Sequence, residues 1–167
     1  HSALAVYRRA KSAPHLLRFV LWDGATWSSP SDVAAGVSAR AEASIHARDG
    51  GFDLSFHGDD FKHYFARYVT GWNPTAEPIG SPQSFGPSPA ALKQGGASLE
   101  VFFAGDDKGL YAQLRSNNAW QGAQPLPGAS TQMRPAVVQL SGGEALVVFV
   151  RDGDGKLMFN RRQGSIW

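Results

Sequence analysis

Leu99-Glu100-Val101-Phe102-Phe103-Ala104-Gly105-Asp106-Asp107 and Leu146-Val147-Val148-Phe149-Val150-Arg151-Asp152-Gly153-Asp154 are two copies of one pattern, an apolar strand running into an Asp/Gly turn. Working outward, each copy continues into a second strand rich in Tyr or Phe and then reaches a tryptophan. These tryptophans are Trp27, Trp72, Trp120 and Trp167, at spacings of 45, 48 and 47 residues. A repeat of this length with several short strands per unit predicts small four-stranded antiparallel sheets that must bury both faces against neighbours. The chain is therefore expected to be all-β, built from β-propeller blades.

The third copy sets the plan. Pro89 to Leu92 is the expected inner strand, and Leu99 to Phe103 the second, alternating with a period of two. Gly105 to Gly109 is a hairpin turn whose Asp and Gly tolerate positive φ, and Leu110 to Leu114 is the third strand. Trp120 opens the outer strand, which Pro125, Pro127 and Gly128 end. At the amino end, Ala3-Leu4-Ala5-Val6-Tyr7-Arg8-Arg9 aligns without a gap on Ala145-Leu146-Val147-Val148-Phe149-Val150-Arg151. The first copy thus starts at a second strand, and the last copy stops before a fourth. The units run 1–40 (partial), 41–87, 88–133 and 134–167 (partial), or fourteen strands in about three and a half blades. An open arc leaves raw edges, so ring closure is expected from a second identical chain, giving 28 strands and seven blades, or from the rest of a longer chain.

Composition narrows the function. The 16 basic and 14 acidic residues give a formal charge of +2, with the basic residues scattered rather than striped, which argues against a nucleic-acid partner. With no cysteine there are no disulfides, thiolate metal sites or cysteine nucleophile. No apolar run is long enough to span a membrane as a helix. The five histidines lack ligand spacing, and Asp152-Gly153-Asp154-Gly155 is followed by Lys156-Leu157-Met158 rather than further oxygen ligands, so neither metal nor cofactor is expected.

Residues 99 to 111, with Trp120 and Leu126-Pro127-Gly128, resemble the bacterial and fungal β-propeller lectins. These include the Photorhabdus-type seven-bladed lectins and, more distantly, tachylectin and the fucose-binding propellers. The resemblance implies non-catalytic, multivalent glycan binding in shallow sites on or between blades, and a secreted protein. Arg67, Arg115 and Arg162 each lie five residues before Trp72, Trp120 and Trp167, and Trp22 takes that place in the first copy. Indole rings can stack on a pyranose while Arg and carboxylates bind its hydroxyls, so these six residues are ligand candidates. Alternatively the tryptophans wedge between blades and the arginines are solvated stems over apolar surface. Asp59, Asp107 and Asp154 are further candidates, at the opposite strand ends from the tryptophans, where they also serve as turn formers.

Asp23-Gly24-Ala25-Thr26-Trp27 only grazes the sialidase Asp box, and the acids recur in step with the repeat instead of forming one catalytic pair, so no enzyme is expected. A protein-interaction propeller, or the accessory domain of a secreted enzyme or toxin, is the remaining alternative.

Overall fold

The computed structural model describes residues 3–9, 15–33, 38–40, 43–79, 90–93 and 98–167, with the backbone alone for 90–93. The expected turns at 94–97 and the boundaries at 41 and 80–89 lie outside the described residues. Four antiparallel sheets follow one another along the chain. The first holds β1 (Ala3–Arg8), β2 (Leu17–Trp22) and β3 (Ser31–Asp32), and the second holds β4 (Ser44–Arg48), β5 (Gly51–His57), β6 (His63–Tyr68) and β7 (Glu77–Ile79). The third comprises β8 (Ala90–Lys93), β9 (Leu99–Ala104), β10 (Gly109–Ser116), β11 (Ala119–Trp120) and β12 (Gln124–Ser130). The fourth comprises β13 (Ala136–Gln139), β14 (Ala145–Val150) and β15 (Leu157–Arg162).

The innermost strands β4, β8 and β13 lie side by side, so the sheets fan out from a common inner edge. Each seam between sheets holds its own apolar cluster. Leu17, Leu54, Phe56 and Ala66 fill the first seam, Phe65, Leu99, Val101 and Phe103 the second, and Phe102, Leu110, Val147 and Phe149 the third. Strands sandwiched on both faces lose the polar alternation of a half-buried strand. Thus β9 is buried at every position, whereas β14 alternates buried with half-buried residues.

Three local expectations change. Trp120 does not open the outer strand. It sits in two-residue β11, folded back on Arg115–Ser116 by a turn in which Asn117 (φ 50°) and Asn118 (φ 60°) adopt the left-handed conformation of a tight hairpin. This makes fifteen strands among the described residues. The outer strand is β12, with Pro125 and Pro127 inside it, where an outermost strand tolerates missing donors. In the Asp turns, Phe61 (φ 64°) and Lys108 (φ 67°) take the positive φ, while Asp60 and Asp107 supply side-chain acceptors. Finally, pairs counted from the hairpin turn place Ala145, not Leu146, opposite the residue equivalent to Leu99's partner. The turn before β15 is one residue longer than that before β10, which absorbs the slip. The gapless match of Ala3 onto Ala145 holds by the same count.

Candidate functional site

The tryptophans sit at the seams. Trp72 packs edge-on against Phe19 of the preceding sheet at 5.6 Å, Trp120 against Phe65 at 5.7 Å and Trp167 against Phe102 at 5.6 Å. Each is only partly buried, so one surface wedges a seam while another reaches the rim. The indole N–H groups of Trp72 and Trp120 are buried without a hydrogen-bond partner. Trp27, in the first sheet, is 51% exposed and contacts Trp22 at 5.5 Å.

The arginines are not solvated stems. The side chains of Arg67, Arg115 and Arg162 retain 12%, 5% and 13% of their exposure, because each guanidinium is drawn to carboxylates within the sheet stack. Arg67 Nε and Nη2 donate to Asp53 at 2.8 and 3.1 Å. Arg115 reaches across the second seam and donates through Nε and Nη2 to Glu77 on β7 at 3.1 and 2.9 Å, and through Nη1 to Asn118 at 3.2 Å. Across the third seam, Arg162 Nη1 donates to both oxygens of Glu100 at 2.6 Å. Buried charges persist only with such partners.

Counting ladder pairs from the hairpin turns sharpens this. The sixth pair is Ala3–Trp22, Phe52–Tyr68, Leu99–Arg115 and Ala145–Arg162 in the four sheets. Tyr68, not Arg67, is therefore the counterpart of Arg115 and Arg162. The common five-residue spacing to tryptophan arises because the bridge that brings back Trp72 starts at Tyr68 and closes one residue earlier than that of Trp120. The fifth pair begins with Leu4, Asp53, Glu100 and Leu146. Across the third seam Glu100 meets Arg162; the positions that correspond to this pair are Asp53 and Arg115 at the second seam and Leu4 and Tyr68 at the first. Acid and arginine are present together or absent together. Asp53 has a shorter side chain than Glu100 and is held by Arg67 of its own sheet, leaving Arg115 to Glu77.

Beside the Glu100–Arg162 pair the third seam opens into a groove of about 610 Å³, lined by Leu114, Gln121, Gln124 and Trp167 as well as the ion pair. A guanidinium and a carboxylate locked together, an indole face and two amides make a surface that offers both donors and acceptors around an apolar platform. Sequence reading missed Asp53, Glu77, Glu100, Gln121 and Gln124. The signal lay in Glu100 itself, a charge inside an otherwise apolar run.

The Asp turns lie at the other ends of the strands and are not brought together with the arginines. Asp107 accepts from the Gly109 N–H at 2.9 Å and the Tyr111 hydroxyl at 2.6 Å, bonds that hold its carboxyl below the usual range, the tyrosine contributing most. Asp154 is pulled down to about 2, first by its bond to Arg151. Asp59 lies 3.6 Å from His15 Nδ1. In the equivalent second-sheet turn, the Tyr64 hydroxyl donates to Asp60 at 2.8 Å, and burial followed by this bond pushes Tyr64 up to about 12. Its stabilisation is complete below pH 10 and is lost as the pH rises through 12, because the folded state keeps a proton that the unfolded chain releases. Spectrophotometric titration should find one tyrosine ionising near pH 12, and Tyr64→Phe should remove that step.

No protein-family model matches this sequence, and no curated protein matches it. Solved structures do. The fungal lectin of Aleuria aurantia, described as a six-bladed β-propeller with a novel fucose recognition mode, superposes with a TM-score of 0.76 at 17% identity, covering 99% of this chain and 55% of that one. This chain folds as β-propeller blades. A variant of the same lectin bound to α-methyl-L-fucoside gives a TM-score of 0.65 at 14% identity, covering 99% and 56% of the two chains. A triple arginine-to-alanine variant of AofleA from Arthrobotrys oligospora gives 0.65 at 16% identity, over 99% and 55%. The chain spans about half the length of these propellers, so the four sheets are blades of an arc and the grooves are inter-blade seams.

Proposed function

We propose that this chain is a non-catalytic carbohydrate-binding lectin whose sites are the inter-blade seams on the tryptophan side. The observation that carries the reading is the third seam, where the Glu100–Arg162 pair, Trp167, Gln121 and Gln124 converge on one open groove. Such a groove can stack a pyranose face on the indole and satisfy its hydroxyls with fixed charged and amide groups. Arg115 with Trp120 in the second seam is the related site, and repetition supplies multivalency. Among the described residues no three acidic or histidine side chains cluster to hold a metal. The structural neighbours solved with fucosides support the reading and name the first probe. Titrating the chain with α-methyl-L-fucoside and a panel of neutral methyl glycosides is expected to quench Trp167 fluorescence at millimolar concentration, and Arg162→Lys should weaken the response several-fold. Saturating concentrations without any response would sink the lectin reading.

A partner is favoured by a separate observation. On β15, Leu157 and Phe159 are 73% and 66% exposed, although their equivalents His63 and Phe65 on β6, and Leu110 and Ala112 on β10, are buried under the next blade. A further blade laid over that row, from a second copy of this chain or from the rest of a longer chain, is the occupant this surface fits. Light scattering is expected to give twice the 17.9 kDa chain mass, and a monomer would exclude self-association.

A further inference from the structure

The first seam has a groove of different chemistry on the same rim. Where the other seams carry an arginine bound to a carboxylate of the preceding blade, this one has Leu4 and Tyr68 at the corresponding ladder positions, and Trp22 takes the arginine position of the first blade. The opening of about 450 Å³ is lined by Trp22, Phe52 and Tyr68, with Asp23 and Arg48 at its edge. Its floor is set by Gly51, where a Cβ would fall 2.0 Å from the Tyr68 carbonyl oxygen, so hairpin and aromatic wall are in direct backbone contact.

The two charges differ in their commitments. One Asp23 oxygen accepts the amides of Ala25 and Thr26, both at 2.8 Å, and the other accepts the Thr26 hydroxyl at 3.3 Å, so this carboxylate is occupied by its own turn. Arg48, on the half-exposed end of β4, is paired through its backbone with Gly51, and its guanidinium makes no ion pair or hydrogen bond with any described residue. This contrasts with the carboxylate-bound Arg67, Arg115 and Arg162. An uncommitted planar fork beside aromatic faces is suited to a flat anion attached to an apolar-faced ring.

We infer that the first seam binds a pyranose bearing a carboxylate, a uronic acid unit, with its ring against Trp22 or Tyr68 and its carboxylate in the fork of Arg48. This extends the lectin reading to a second ligand class at a second site. Methyl β-D-glucuronide should bind at least 10-fold more tightly than methyl β-D-glucoside at low ionic strength, and the difference should shrink with added salt. Arg48→Gln, which removes no side-chain ion pair or hydrogen bond to a described residue and should leave the melting temperature nearly unchanged, is expected to erase the preference while sparing glucoside binding. Trp22→Ala should weaken both sugars. Equal affinity for the two glycosides, or a preference that survives Arg48→Gln, overturns the inference. Glucose 6-sulfate binding as tightly as the glucuronide would overturn the carboxylate assignment. Resonances of Trp167, followed with α-methyl-L-fucoside in the same experiment, separate the two proposals: a response there with none at Trp22 to glucuronide defeats this site alone, and the converse defeats the third-seam site alone.

Discussion

Replacing Glu100 with alanine is expected to cost about 3–5 kcal/mol, because it leaves the Arg162 guanidinium buried and unpaired. For a chain of this size that corresponds to a fall of roughly 6–20 °C in melting temperature. The pair is mostly buried at the edge of its groove, with 6% exposure at Glu100 and 13% at Arg162, so water replaces the lost carboxylate only in part. The first seam already shows the remedy, since Leu4 and Tyr68 occupy the same two positions there. The double replacement Glu100→Leu with Arg162→Tyr should therefore recover most of the loss, leaving a coupling of at least about 2 kcal/mol in a double-mutant cycle. Urea unfolding of the four proteins measures it. Additive single effects would show that the two charges do not depend on one another.

The second large effect is expected at Trp120. Truncation to alanine removes the edge contact with Phe65 and the wedge of the second seam, and should destabilise by about 2–4 kcal/mol. The value lies toward the lower part of the range for core tryptophans because the ring is only partly buried and its N–H is unsatisfied in the fold. Trp27→Ala should change stability by less than about 1 kcal/mol, since that ring is 51% exposed. Thermal melts of both variants separate seam packing from rim exposure. If Trp120→Ala melts like the unaltered chain, the indole does not hold the seam and its burial contributes little.

Much of the fold was legible in the sequence. The strands Leu99 to Ala104 and Ala145 to Val150 announced themselves through apolar runs closed by Asp/Gly turns, and the repeat length implied stacked small sheets. What escaped was register at the level of one residue. The longer turn before β15 and the shorter return to Trp72 both preserve the visible landmarks while shifting what lies between them, so Arg67 looked like the counterpart of Arg115 although Tyr68 holds that place. The site was half legible for a related reason. Arginine and tryptophan recur along the chain, but the acid partners of two of the three arginines sit on a neighbouring blade, 38 residues away for Glu77 and Arg115 and 62 for Glu100 and Arg162. Spacing within one repeat cannot reveal a contact made between repeats. The acid and the arginine are linked by a seam, and only the assembled stack aligns them.

The residues that face the seams also make the blades distinguishable building blocks. The second blade offers Glu77 forward and carries Tyr68 on its other side, the fourth has Leu146 and Arg162, and the first Leu4 and Trp22. The third alone carries both an acid, Glu100, facing its successor and an arginine, Arg115, facing its predecessor. Concatenated copies of that blade would satisfy every junction they create. Setting the fourth blade ahead of the third would put Leu146 opposite Arg115 and take Glu77 out of its reach, burying that guanidinium without a carboxylate, so the flanks exclude some module orders.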